Sequence, residues 1–324
     1  MIIIQLAGGL GNQLQQYALY QKFKSLGAEA KLDLSWFEQF KTTERKNGII
    51  ATNRQCELDF FDHLPYESCT GEEKTALTGS QGLAGKLRRR LLPQTVHWYK
   101  EKQLYDPALL NYRDMYVSGY FACEKYYADI LPELRELIRF PEIVDAQKRM
   151  ANEEILRKIR NSHAVSVHIR RGDYLQPENA VMFGNICTEE YYESALNYMK
   201  EKIKAPQFFI FSDDAAYVKE HYQGEEYTIV DINHGGDSFY DMYLMSQCEG
   251  NICANSTFSF WGARLNDRSD KIMIRPTKQK NSQVFDEAQM KDLWKDWIFI
   301  DPQGQVYNDI AFITTYCKYS ELHS

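Results

Sequence analysis

The chain has 324 residues, 44% of them apolar and 26% charged, the proportions of an ordinary globular protein. At about 150 residues per domain, that length suggests two domains or one large one. Lys and Arg number 38 against 45 Asp and Glu, a net charge of −7, which argues against a dedicated nucleic-acid binder while allowing a local basic pocket.

Ile2 to Leu6 is a short apolar run ending in Ala7-Gly8-Gly9-Leu10-Gly11-Asn12. Apolar positions at Leu10, Leu14, Tyr17 and Ala18 then follow at helical spacing as far as Gly27. A buried strand, a glycine turn and a helix form the opening unit of a nucleotide-binding α/β domain. Ala30 to Leu34 reads as a second strand. From about Phe37 to Tyr116 the periodicity weakens, and Lys86, Arg88, Arg89 and Arg90 form a small basic cluster. That cluster reads as a solvated helix face, with contact to an anionic membrane as the lesser alternative.

The second half is more regular. Ala164 to Ile169 is a strand, and Thr188 caps a helix running to Lys204. Strands follow at Gln207–Ser212, Tyr227–Asp231, Asn251–Ala254 and Lys271–Arg275. Helices alternate with them at Ala215–Tyr222, from Ser238 to about Cys248, and from about Thr257. Ser238 with Asp241 three residues later has the spacing of a capping box. This alternation predicts a doubly wound parallel sheet and a domain boundary near residues 150 to 160.

Seven cysteines, an odd number without the two-residue spacing of a zinc or redox motif, read as reduced and buried thiols. The apolar N-terminal run is too short for a signal peptide and has no basic flank. No stretch of about 18 apolar residues suggests a membrane span. A cytosolic protein is expected.

The glycine turn fails the dinucleotide pattern, because Leu14 stands where a third glycine belongs after Gly9 and Gly11. It still lets backbone approach an anion or sugar at a helix N-terminus, unless it is simply a tight turn with Asn12 as cap. The richest segment is Val165-Ser166-Val167-His168-Ile169-Arg170-Arg171-Gly172-Asp173-Tyr174. Strand alternation sends His168 and Arg170 to one face at the C-terminal end of a parallel strand, where open α/β sheets bind ligands. An arginine there suits a diphosphate, since its charged fork matches phosphate oxygens. Arg171-Gly172-Asp173 also spells an adhesion tripeptide, a chance match at a strand-end turn.

Two other strand ends are polar. Ser212-Asp213-Asp214 offers carboxylates for a guanine edge or ribose, or two helix caps. Asn255-Ser256-Thr257-Phe258-Ser259-Phe260-Trp261-Gly262 places hydroxyls at a helix N-terminus, the second half of a phosphate cradle, or again a cap. No Asp-x-Asp occurs, leaving no obvious seat for a carboxylate-held Mg²⁺, and no G-x-S-x-G elbow occurs either.

Taken in order and spacing, the set Gly8–Gln13, His168–Tyr174, Phe211–Asp214 and Asn255–Gly262 resembles the bacterial α-1,2-fucosyltransferases of glycosyltransferase family 11. The likeness spans about residues 1 to 275, and the family usually carries a second Trp where Phe260 stands here. It implies a GT-B-like α/β fold, two Rossmann-type doubly wound domains facing across a cleft. Residues 1–155 would form the acceptor side, and residues 156–324 the GDP-fucose-binding domain with a C-terminal tail. It further implies metal-independent, inverting transfer of fucose to the 2-hydroxyl of a galactose, with no cofactor beyond the donor. Arg170 becomes the phosphate clamp and leaving-group stabiliser, with Arg171 beside it. His168 with Asp213 or Asp214 would read guanine, and Ser256, Thr257 and Phe258 would flank the diphosphate. Asn12, with Gly9 and Gly11, would approach the fucose and acceptor. Asp173 and His168 are candidates for the general base, and guanine contact would occupy His168. The acceptor is expected to be a galactose-terminated glycan, with peripheral membrane contact where it is lipid-linked. The rival readings are another linkage or nucleotide sugar, or a non-catalytic carbohydrate-binding protein.

Overall fold

The computed structural model of the chain describes residues 1–38, 55–79 and 97–307. The chain divides into two compact units, Met1–Glu142 and Ile143–Ser324. The division falls ahead of the expected 155/156 boundary because helix α2, Ala146–Arg160, sends Ile155 and Ile159 into the second unit's core. The basic cluster Lys86, Arg88, Arg89 and Arg90 lies outside the described residues, as does Cys317.

The first unit is built on strands β1 (Ile2–Gln5), β2 (Ala30–Asp33), β3 (Trp98–Lys100) and β4 (Met115–Ser118). They form a parallel sheet in the order β2-β1-β4-β3. Helix α1 (Leu10–Ser25) links β1 to β2 and ends before Gly27, whose φ of 75° suits only glycine comfortably. Gln13, Gln15 and Gln16 are buried in α1 beside Leu14 and Tyr17. Burial on more than one side explains why its apolar spacing is faint. β3 and β4 fall in the stretch of weak periodicity, since strands of three and four residues are too short to show alternation.

The second unit holds strands β5 (His163–Ile169), β6 (Pro206–Ser212), β7 (Tyr227–Val230), β8 (Gly250–Ile252), β9 (Ile272–Pro276), β10 (Trp297–Ile300) and β11 (Val306–Tyr307). Their order is β11-β10-β9-β8-β5-β6-β7, parallel except for β11 against β10. The crossovers include α3 (Pro177–Phe183), α4 (Glu189–Lys202), α5 (Ala215–His221), α6 (Phe239–Ser246) and α7 (Thr257–Leu265). Both faces of the sheet are covered. Val165, Val167, Phe208 and Ile210 pack with Tyr191, Ala195 and Met199 of α4. Phe209 and Phe211 pack on the other side with Leu244 and Met245 of α6 and with α2. Continuous apolar runs such as Phe208–Phe211 are what a two-sided parallel sheet requires.

Thr188 caps α4 as expected, its hydroxyl accepting from the Tyr191 N–H at 3.2 Å. The capping box at Ser238 is corrected. The Ser238 hydroxyl donates to the Gly235 carbonyl and makes no cap bond, while Asp241 accepts from the Asn233 amide at 2.8 Å. The six described cysteines are free thiols, of which Cys123, Cys248 and Cys253 are buried. No described helix is long and apolar enough to cross a membrane.

The strand order fixes where a ligand belongs. From β5 the chain winds outward through β6 and β7, then returns to β8 on the opposite side and continues to β9 and β10. The winding direction therefore reverses between β5 and β8, and such switch points open a crevice at the strands' C-terminal ends.

Candidate active site at the strand switch point

His168 and Arg170 stand at the β5 side of that crevice. Alternation places Ile169 in one core, while His168 contacts Phe258 in the first turn of α7, ring centroids 5.8 Å apart. Burial, with the Arg170 charge adding, holds the His168 imidazole down to about 3, so it is neutral at physiological pH. Its Nδ1 is buried without a hydrogen-bond partner among the described residues. A buried orphan nitrogen at a switch point is consistent with a ligand-facing role.

Arg170 is held from two sides. One terminal nitrogen donates to Asp173 at 2.7 Å, and the other pairs with Asp213 at 2.9 Å. Asp213 also accepts the Arg171 backbone N–H at 2.9 Å, so its carboxylate fixes both the guanidinium and the turn that carries it. Gly172 makes this possible. A Cβ there would lie 2.5 Å from Asp213 Oδ2.

Arg171 departs from the expected paired clamp. Its guanidinium carbon lies 3.5 Å from the Tyr217 ring centroid, and its Nε donates to Asp214 at 3.1 Å. Asp214 is in addition the N-cap of α5, accepting from the Tyr217 N–H. The two arginines are thus served by different carboxylates and turn to different neighbours. Asp213 and Asp214, expected at guanine, are both engaged by arginines here. The Arg171-Gly172-Asp173 tripeptide has its two charged side chains committed to internal pairs.

The β8 side is organised by Asn255. Its Nδ2 donates to the carbonyls of Phe183 and Gln279 at 3.1 and 3.2 Å, and the Cys187 thiol donates weakly to its Oδ1. Tyr174, stacked on Phe183 at 4.9 Å, donates its hydroxyl to the Asn255 carbonyl. Ser256 occupies the N-cap of α7 without a side-chain cap bond, and Ser256, Thr257 and Phe258 are each half-buried. The half-positive end of a nine-residue helix therefore opens beside Arg170's strand.

In the first unit, Gly9 caps α1 in extended conformation and Asn12 lies in its first turn, half-buried. The glycine the fold needs most is Gly8 rather than Gly9 or Gly11. Gly8 has φ of 83°, and a Cβ there would come within 2.7 Å of Asn12 Nδ2. Buried amides pin this turn. Gln16 accepts the Ala7 N–H at 2.8 Å, and Gln13 donates to the Gly8 carbonyl at 2.9 Å.

Asp241 escaped the sequence reading as a functional candidate. Burial, with Asp231 nearby, pushes its carboxyl up to about 7 against the pull of Asn233. Asn233 and Asn152 exchange two amide hydrogen bonds at 2.9 Å, so a buried polar chain supports it. The Ser-x-x-Asp spacing hid a half-buried acid behind the appearance of a cap.

A Rossmann-like sheet with a carboxylate-held arginine, a neutral histidine and a helix N-terminus at its switch point has the architecture of a nucleotide-ligand enzyme. The model of glycosyl transferase family 11 matches residues 99–301, and the chain belongs to that family of glycosyltransferases. The O-antigen biosynthesis glycosyltransferase WbnK of Escherichia coli is 30% identical over 84% of this chain and 93% of its own length. An alpha-1,2-colitosyltransferase of Escherichia coli is 29% identical over 86% of this chain and 91% of that protein. Galactoside alpha-(1,2)-fucosyltransferase 2 of Sus scrofa is 26% identical over 55% of this chain and 53% of its own.

Proposed function

We propose that the protein transfers L-fucose from GDP-β-L-fucose to the 2-hydroxyl of a galactose, forming an α-1,2 linkage with inversion. The observation that carries this reading is Arg170, gripped by Asp173 and Asp213 at the switch point beside neutral His168. Breaking the sugar–phosphate bond leaves negative charge on GDP. A preorganised guanidinium and the N–H groups of α7 stabilise that charge without reorganisation at the moment of reaction. Arginine cannot lose its proton, so the clamp persists across pH. His168 offers guanine a neutral nitrogen. Ser256, Thr257 and Phe258 flank the diphosphate.

Inversion calls for an acceptor hydroxyl approaching the face opposite the leaving group, with its proton passed to a base. Asp173 already accepts from Arg170, which lowers its freedom to act as that base. Asn12 on the uncharged glycine turn is assigned to the sugars. In this reading arginine takes the place of a divalent metal, and turnover is expected to be the same with or without EDTA. Strong inhibition by EDTA, restored by Mn²⁺, counts against it.

A colitosyl donor is the second reading, favoured by the colitosyltransferase relative. A site built around one sugar hydroxyl rejects an analogue lacking it by large factors. The deciding experiment offers GDP-fucose and GDP-colitose with a panel of β-galactosides, following GDP release and reading the linkage by NMR. An α-1,2-fucosyl product supports the first reading. A colitosyl product supports the second, and turnover with neither removes both.

A further inference from the structure

The first unit has a switch point of its own. β2 pairs with β1 on one side and β4 pairs with it on the other, so a crevice opens at the C-terminal ends of β1 and β4. The turn Ala7-Gly8-Gly9 follows β1, and Gly119-Tyr120-Phe121 follows β4. The buried Gln16 amide ties the two turns, accepting the Ala7 N–H and donating to the Gly119 carbonyl, both at 2.8 Å. Tyr120 stands one residue beyond this tie, on the β4 side of the crevice.

Among the described residues, Tyr120 is the only Phe, Tyr or Trp that is exposed, with 50% of its surface open. Its neighbours hold it there. Phe121 turns inward and is buried, its ring centroid 6.4 Å from that of Tyr99 and 6.1 Å from that of Tyr126. The φ of Phe121 is 50°, a left-handed conformation that a bulky residue keeps only where its surroundings impose it. Glu101, directly after β3, imposes it. One oxygen of its carboxylate accepts the Tyr120 N–H at 2.7 Å, and the other accepts the Phe121 N–H at 3.1 Å. Gly119 lets that side chain approach, since a Cβ there would lie 2.4 Å from Glu101 Cβ. An exposed aromatic ring on a strained, doubly anchored turn at a strand switch point is placed for a ligand rather than for the core.

The chemistry of the two turns selects the ligand. Ala7 to Asn12 and Gly119 to Cys123 carry no charged side chain, and the Glu101 carboxylate is engaged by two backbone N–H groups. A neutral crevice with an open aromatic face suits a sugar ring, whose apolar C–H face rests on the aromatic while its hydroxyls bond to amides. In galactose the axial 4-hydroxyl leaves the C–H bonds of C3, C4 and C5 on one face. In glucose the C–H bond of C4 points to the opposite face, which breaks that patch. We propose that Tyr120 is the platform on which the acceptor's galactose ring lies, and so the residue that selects galactose over glucose, with Glu101 as its positioning residue. The proposal rests on the galactoside-acceptor reading above and adds the side chain that recognises the sugar.

The test is steady-state kinetics of the full chain with GDP-fucose and either lactose or cellobiose, which end in galactose and glucose and share the 2-hydroxyl. Tyr120→Ala is expected to raise the lactose KM about tenfold, the loss of one stacking contact, with the GDP-fucose KM within about twofold of the parent's. The preference for lactose over cellobiose is expected to shrink with it. Tyr120→Phe keeps the ring and is expected to stay within about twofold of the parent. The melting temperature of Tyr120→Ala is expected to match the parent's, because the side chain is exposed. Glu101→Gln is expected to raise the lactose KM as well. Combined with Tyr120→Ala it is expected to add nothing, as befits a residue that acts through Tyr120. An unchanged lactose KM in Tyr120→Ala, or a rise in the GDP-fucose KM instead, overturns the proposal and leaves the transfer reading in place. Should the parent turn over neither acceptor, that counts against the transfer reading, and lactose binding is compared by saturation-transfer NMR. A signal lost in Tyr120→Ala and kept in Tyr120→Phe supports the proposal. An equal signal in the parent and Tyr120→Ala, or none in the parent, overturns it.

Discussion

The two units handle the same structural problem, a strand delivering its last residue to a loop and helix, with opposite chemistry. After β1 the turn is Ala7-Gly8-Gly9, with no acidic residue in the first turn of α1, and neutral amides of Gln13 and Gln16 hold it. After β5 the turn is Arg170-Arg171-Gly172-Asp173, held by ion pairs to Asp173, Asp213 and Asp214. A neutral, amide-pinned turn suits uncharged sugar hydroxyls, whereas a carboxylate-braced arginine suits an anion whose charge grows during reaction. The overall charge of −7 conceals this division.

The sharpest way to break the comparison is to remove the charge from the second turn. Arg170→Ala is expected to reduce turnover about a thousandfold, the scale of losing a principal electrostatic stabiliser. Its circular dichroism and melting temperature are expected to stay near the parent's, because the side chain is about a third exposed. Retained parental turnover overturns the clamp. Gly172→Ala tests the bracing. The added methyl meets Asp213 and displaces it from Arg170, so turnover is expected to fall about tenfold, the loss of one charge-assisted bond. GDP affinity, measured alongside, should fall in parallel.

Breaking the neutral turn acts on stability instead. Gly8→Ala forces a left-handed backbone on an L-residue, costing about 1–2 kcal/mol, and crowds Asn12. Chemical denaturation is expected to show that loss. An unchanged midpoint would mean the turn can relax. A smaller effect separates two titrating groups in the second unit. His168 is held near 3 against an ordinary 6.5, so the unfolded chain binds the extra proton between those values. Its contribution to stability is complete above 6.5 and is lost as pH falls. Asp241 is raised from 3.8 to about 7, so the folded chain holds the extra proton and stability declines as pH rises through that window. Asp241→Asn is expected to melt a few degrees higher than the parent at pH 7.5, with little difference at pH 4. The reverse order at pH 7.5 contradicts a protonated carboxyl.

The legible parts of the molecule were those written in local pattern. The strands from Ala164 to Arg275 are apolar runs long enough to read, and Thr188 announces its helix by capping chemistry. β3 and β4 were illegible because so few residues cannot display a period. β10, Trp297–Ile300, is an apolar run as readable as those before it. At the site, His168, Arg170 and the Asn255–Phe258 turn were legible from strand-end position. The divergence of Arg170 and Arg171 was not, because it depends on Asp213, Asp214 and Tyr217, which lie more than forty residues further along. The importance of Gly8 over its neighbours also required backbone angles, since three glycines in one turn look alike in sequence.

Asn255 has a consequence for engineering. It bonds at once to Phe183 and Cys187 of one loop and to Gln279 of another, and so acts as a rivet through two segments far apart in the chain. Exchanging the loop between Arg171 and Thr188 with that of a relative would strip this rivet of two of its three anchors. A loop graft meant to alter specificity should therefore carry three segments together, about residues 171–188, 253–256 and 277–283, as one transplanted block.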